Sequence, residues 1–183
     1  YAFAYCRSLI SIDIPSSVTS IGGFAFANCS SLANIVIPDS VTSIGDEAFC
    51  KCTSLTSIEI PDSVTRIEDD AFQDCKSLQQ ITIPDGVTDI GDDVFYGCSA
   101  LERIEIPDGI TIIGTGMFGY CGNLKEIILP ESITDIYGGA FNNCTSLERF
   151  IFPDKVTAVR DEMFIGCTNL TSVVLPETAD EIP

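Results

Sequence analysis

The side chains with chemistry to offer in this sequence are thiols and carboxylates: nine Cys and 27 Asp or Glu, with no histidine anywhere. The missing imidazole removes the usual general base, the commonest metal ligand and the near-neutral pH switch. Ser-His-Asp and Cys-His nucleophile pairs are thereby excluded, and the plentiful serines fall in turn-like stretches. No G-x-x-x-x-G-K-[ST] phosphate loop is present. Nothing marks a retaining pair of carboxylates either, so the expectation is that the chain is not an enzyme.

Eight of the cysteines, Cys6, Cys29, Cys52, Cys75, Cys98, Cys121, Cys144 and Cys167, recur at a constant step of 23 residues. If the repeats stack, they form one column of thiols about 4.8 Å apart, within the Cα range of a disulfide. Parallel Cβ vectors, however, would stay beyond the preferred separation of ~3.8 Å. The reading we prefer is a small apolar residue packed beneath a short helix, with disulfides and metal as alternatives. Cys50 is the ninth, two before Cys52. That C-x-C pair invites a metal, yet without CxxC pairs or histidine the signal is weak, and Cys50 is expected to be an exposed or half-exposed free thiol. No cofactor or metal is expected.

Many of the acids have local employment. Seven follow prolines, namely Asp39, Asp62, Asp85, Asp108, Glu131, Asp154 and Glu177, and suit turns. Eight more, Asp46, Glu47, Asp69, Asp70, Asp92, Asp93, Asp161 and Glu162, sit where a helix would start and suit N-caps. A calcium ion would relieve a column of like charges, but no D-x-D-x-D-G loop is present, and solvated acids are the simpler reading. The net charge of −18 is the reverse of what a nucleic-acid binder needs, and it disfavours anionic membrane surfaces. No run approaches the length of a membrane span, so no membrane insertion is expected.

What must position these groups is the repeat itself. Pro15, Phe3 and Leu9 each begin series with the same 23-residue step, running to Pro176, Phe164 and Leu170 without insertion or deletion. One repeat, from Leu55, reads LTSIEIPDSVTRIEDDAFQDCKS. Leu55, Ile58 and Ile60 alternate like a strand with one buried face. Pro61 and Asp62 supply a turn. Val64 and Ile67 are a second inward pair. Ala71, Phe72 and Cys75 have the spacing of one face of a brief helix. Each coil is expected to run strand, turn, short extended segment and short helix. Such coils bury their apolar face only by stacking, with parallel strands giving a sheet roughly 34 Å long. The end coils lack polar caps and should expose core side chains, which admits end-to-end self-contacts or a longer parent chain.

The recurring LxxIxIPxSVTxIGxxAFxxC, from Leu9 to Cys167, resembles the BspA-like leucine-rich repeats. The repeat count gives eight 23-residue coils over residues 1–183, expected to be one unit of a longer protein, and the resemblance implies that they form a parallel-sheet leucine-rich-repeat solenoid. It also implies an extracellular or cell-surface location and adhesion to host or other cell-surface proteins. It carries no catalytic residue across.

Ligand choice would then live in the outward strand positions. Along the sheet these pairs are Ser11/Asp13, Asn34/Val36, Ser57/Glu59, Gln80/Thr82, Arg103/Glu105, Glu126/Ile128, Arg149/Ile151 and Ser172/Val174. The last three place Ile128, Ile151 and Val174 in consecutive coils, flanked by Lys125 and Arg149. The candidate contact face is therefore Arg103, Glu105, Lys125, Glu126, Ile128, Arg149, Ile151 and Val174. Against it stands a rigid spacer that displays neighbouring domains, with these aliphatics merely suited to exposed strands. Phe150 and Phe152 replace the usual inner Ile, and Val156 and Val159 leave room for them, so that coil should be reshaped. Tyr96 and Tyr120 are expected to pack a ring on a neighbouring coil and leave the hydroxyl wet.

Overall fold

The structure is a computed structural model, and it describes residues 1–179 and 182. Proline at the head of each P-D/E turn fixes φ, and the turn closes with a hydrogen bond three residues on, as from Val64 N–H to Pro61 O at 3.0 Å. Either side of it the alternating Ile residues point inward. The chain winds into a parallel β-solenoid of about six turns of ~23 residues. Every strand pair is parallel and offset by one repeat.

The first strand of the repeat pairs as Ser57–Glu59 with Gln80–Thr82, Arg103–Glu105 with Glu126–Ile128, and Arg149–Ile151 with Ser172–Val174. A single bridge joins Val36 to Glu59. The sheet is thus broken into short ladders where one continuous sheet was expected. Strands of three residues carry few bonds each, and at the break before Arg103 the bond from Glu102 N–H to Gln79 O stretches to 3.4 Å. A second column follows the turn, with Ser43–Ile44, Arg66–Ile67 and Asp89–Ile90 paired in order and Ile112–Ile113 paired with Asp135–Ile136.

Two further expectations fail. Eight equivalent coils do not form: residues 1–20 contribute no strand or bridge, and the inner-face Val173 and Leu175 of the last repeat are exposed. An end coil has a neighbour on one side only, so it pairs and buries on one side only. Nor is there any helix among the described residues. The expected helical segment is a run of turns whose backbone alternates. In one coil, Phe72 N–H reaches forward to Val94 O and Asp74 N–H to Tyr96 O, while Gln73 N–H and Cys75 N–H turn back to Asp70 O and Phe72 O. Left-handed residues recur every fourth position: Glu47 and Lys51, Asp70 and Asp74, Asp93 and Gly97, Glu162 and Gly166. A right-handed helix cannot pass through them. The acids Glu47, Asp70, Asp93 and Glu162 are therefore not N-caps; they hold positive φ, which Asp tolerates better than most residues.

The core is one column of ladders, and no polar or charged residue is buried in it. Phe26, Phe49, Phe72, Phe95, Phe118 and Phe141 stack with centroids 5.4 to 5.8 Å apart and rings within 9° of parallel. Each buried ring contributes roughly 1.5–3 kcal/mol of burial and on the order of 1 kcal/mol of stacking. Near the C-terminus the ladder becomes a cluster. Phe150 stands edge-on to Phe152 at 4.9 Å and to Phe164 at 4.9 Å, over buried Val156 and half-buried Val159.

Candidate functional site

The outward strand positions line an open, shallow trough along one side of the solenoid. It passes over Val36, Glu59 and Thr82, then over Thr82, Arg103 and Glu105, then over Lys125, Ile128, Arg149 and Ile151. Alternation along each short strand sends the middle residue inward and its neighbours out, as in the exposed–buried–exposed pattern of Arg103–Glu105 and Arg149–Ile151. All eight candidate residues share this face. Arg103, Glu105, Lys125, Glu126 and Arg149 are exposed, Ile128 is half-buried, Ile151 is 53% exposed and Val174 43%. Parallel register sets Glu105 beside Ile128 and Ile151 beside Val174.

Charges on the trough are partly matched within the chain. Arg103 Nε lies 3.2 Å from Glu126 Oε2, and Lys125 Nζ lies 3.1 Å from Glu102 Oε2, both pairs exposed. Such surface pairs contribute little stability. They do leave Arg149 as the cation of this face with no carboxylate in ion-pair range among the described residues. The proline-following acids, Asp39 through Glu177, are exposed in every coil.

The thiol column has a role that spacing alone did not disclose. Each Sγ–H from Cys29 to Cys167 donates to the phenylalanine carbonyl of the preceding coil, at 3.1 to 3.2 Å, as Cys98 does to Phe72. Each of these carbonyls also accepts the N–H of the cysteine three residues on, as Phe72 O does from Cys75 at 3.1 Å. The nine thiols are free. Burial pushes Cys52 up to about 12 and Cys75, Cys98 and Cys121 well above the ordinary thiol range. Cys50 contradicts its expected exposure: it is fully buried, pushed up to about 12 by burial and by Glu47, and its Sγ–H points to Gln73 Oε1 at 3.6 Å. It lies in the column of Ala27 and Gln73, which the run of turns folds inward; Cys6 is the exposed thiol instead. Among the described residues no group of three or more Cys, Asp or Glu is placed to hold a metal.

The remaining acids split by column. Asp69 Oδ1 accepts from Asp92 N–H at 2.9 Å, and Asp92 Oδ1 from Thr115 N–H at 2.7 Å, so these carboxylates tie coil to coil. Asp70 is pushed up to about 6, by partial burial first and then by Asp93, Glu47, Asp69 and Asp46. Asp93 is raised too, by partial burial first and then by the charges of Asp92 and Asp69.

Two features escaped the sequence reading. Ile112 and Tyr137 are each 40% exposed on the second strand face, where the outward column otherwise holds Ser43, Arg66, Asp89 and Asp135. Ile112 was legible as the aliphatic in a polar column. Gly114, Gly116 and Gly119 spell G-x-G-x-x-G, but the string lies in the run of turns with Gly116 at φ +58 and no helix after it, so it is not a phosphate loop. Tyr96 and Tyr120 do meet, at 5.1 Å and tilted by 53°, with Tyr120 the more exposed.

The profile of the BspA-type leucine-rich-repeat region matches residues 1–121 and 88–183, with six copies. The chain belongs to this family. It resembles a leucine-rich repeat protein from Bacteroides ovatus at 39% identity and a TM-score of 0.84, over 94% of this chain and 51% of that one. It is also similar to a Treponema pallidum leucine-rich repeat protein, 32% identical with a TM-score of 0.64, over 92% of this chain and 71% of that one. A leucine-rich cell surface protein from Faecalibacterium prausnitzii matches at 30% identity and a TM-score of 0.64, over 94% and 61%. The chain thus spans about half the length of the Bacteroides ovatus protein. No functionally curated protein matches it. Leucine-rich repeats generally mediate protein interactions, and the BspA-type family is generally non-catalytic. No helix among the described residues is long and apolar enough to cross a membrane.

Proposed function

We propose that this BspA-type solenoid is a non-catalytic recognition module of a surface-displayed protein, and that it binds a protein partner on the strand face of its C-terminal coils. The observation that carries this reading is the change of character along the trough. Its earlier coils present Ser57, Glu59, Gln80 and Thr82, whereas Ile128, Ile151 and Val174 follow one another at the same outward position. Exposed aliphatics with a charged rim are the usual anatomy of a contact. The cell-surface description of the Faecalibacterium prausnitzii relative supports the location.

The test is capture of host and cell-surface proteins by the full parent protein, compared with an Ile128→Asp/Ile151→Asp double variant. Ile151 is 53% exposed and Ile128 half-buried at the same outward position, and circular dichroism establishes that the variant is folded before its binding is read. Loss of ~2 kcal/mol or more of affinity supports the reading. Wild-type binding by a folded double variant would leave the rigid spacer as the better account.

A further inference from the structure

The chain carries nine basic side chains against 27 acids. Five of the nine, Arg66, Lys76, Arg103, Lys125 and Arg160, lie within 4 Å of a carboxylate. Two others, Arg7 and Lys51, have no such partner among the described residues, and both line one shallow recess together with Lys76. The recess lies in the run of turns of the first four repeats. Arg7, Ser30, Thr53 and Lys76 occupy one repeat position and Lys51 and Asp74 the position two before it. Stacking therefore brings three cations from three coils onto one side, interleaved with two hydroxyls. Lys51 is held at φ +60, with its N–H bonded to Gln73 O at 2.7 Å, which fixes where its side chain leaves the backbone.

We propose that this recess binds a single tetrahedral oxyanion, a sulfate or phosphate group presented as an ester or as the free ion. The guanidinium fork and the two ammonium groups supply charge-assisted donors, and the Ser30 hydroxyl lines the recess beside them, whereas Thr53 Oγ1 already donates to Ser30 O at 3.3 Å. Asp74 is the one carboxylate of the lining, and Lys76 engages it at 3.5 Å, leaving a local excess of positive charge. Glu47 and Asp70 on the neighbouring turn, and the net charge of −18, oppose a long polyanion. A single anionic group avoids the long-range part of that repulsion, since charges beyond a Debye length of ~10 Å are screened, and leaves the nearby Glu47 and Asp70 as the acids that the cations must outweigh.

The experiment is an amide-shift NMR titration of the whole chain with sodium sulfate and with sodium phosphate, each against sodium chloride at matched ionic strength. Two further arms use a sulfated disaccharide and the same disaccharide without sulfate. Saturable shifts confined to the recess residues are expected, weakened about tenfold by Arg7→Ala and by Lys51→Asn. Asparagine tolerates the left-handed backbone at position 51, and both side chains are exposed, so the variants should keep the wild-type fold. Tighter binding of the sulfated sugar than of free sulfate assigns the ester as the source, and equal binding assigns the ion. No saturable response beyond chloride overturns the proposal. So does wild-type binding by the folded variants, or a response to an acidic peptide in the absence of any response to sulfate and phosphate.

Discussion

Replacing Cys98 tests what the thiol ladder does. Cys98 is fully buried, and its Sγ–H donates to Phe72 O at 3.2 Å, a carbonyl that also accepts Cys75 N–H at 3.1 Å. Cys98→Ala removes one buried sulfur, worth ~1 kcal/mol of burial, and opens a void worth roughly 0.5 kcal/mol more. The carbonyl is not orphaned, because the backbone bond survives. The expected cost is therefore about 1.5 kcal/mol. Cys98→Ser keeps a donor but shortens the side chain, since a C–O bond is shorter than C–S, and moves it to about 3.5 Å from the carbonyl, outside useful hydrogen-bonding range. A buried hydroxyl without a good partner adds ~1–3 kcal/mol to the loss, so serine should be worse than alanine despite closer chemistry. Cys6 supplies the control: it is exposed and donates to no carbonyl, so either substitution there should stay within about 0.5 kcal/mol. Urea unfolding followed by circular dichroism reads all four variants. A Cys98→Ser variant as stable as the wild type would refute the reasoning, because it would mean that the column asks only for a donor.

A thiol-labelling time course on native protein should modify Cys6 quickly and leave Cys50, Cys52, Cys75, Cys98 and Cys121 unreacted until unfolding, since these are buried and hold their protons. Far-UV circular dichroism should lack the helical double minimum; its presence would return the helix to the repeat. Because Asp70 binds its proton up to about pH 6 in the fold and only to ~3.9 when unfolded, the folded state holds more protons in that window. The contribution of Asp70 is thus complete below the unfolded value and lost as pH rises through 6, and the melting temperature should fall across that interval. Asp70→Asn should flatten the profile while suiting the left-handed backbone; an unchanged profile would show that Asp70 is not the responsible group.

The inward half of the fold was legible because identity at a constant step has one physical meaning: residues of the same type, one per coil, must stack. Phe26 to Phe141 and Leu32 to Leu147 follow directly. The run of turns was not legible, because Ala71, Phe72 and Cys75 have a spacing that a helix face and alternating turns share. The discriminating signal lay beside them. Asn28, Asp74, Gly97, Asn143 and Gly166 hold five of the eight copies of one position and are residue types that take positive φ readily, while Tyr5, Lys51 and Tyr120 take it in the other three. That misreading also misplaced Cys50, since whether its column faces in or out depends on the turn geometry. On the candidate face the exposure of Ile151 and Val174 followed from alternation, but the pairing of Arg103 with Glu126 and of Lys125 with Glu102 did not. Both are contacts between coils, and their partners sit 23 residues away.

The columns differ in how free they are to vary, and this separates architecture from recognition. The Cys thiols bond the coil before them, as do the hydroxyls of Ser40, Ser63 and Ser132, each at 2.6 Å to the carbonyl of Val18, Val41 or Ile110. Such a position answers to its neighbour's backbone, which has the same geometry in every coil; the cysteine type repeats without exception, whereas Gly86, Gly109 and Lys155 take the serine position in three coils. The outward strand column answers to no backbone group, and there the sequence runs from Asp13 through Val36, Glu59, Thr82 and Glu105 to Ile128, Ile151 and Val174. Val36 is 78% exposed and stands alone among polar neighbours, so an isolated aliphatic carries no weight. Three in succession are different, because adjacent coils bring them into one surface that water must cover at a cost growing with its area. A spacer gains nothing from that cost, whereas a contact face recovers it when the partner docks.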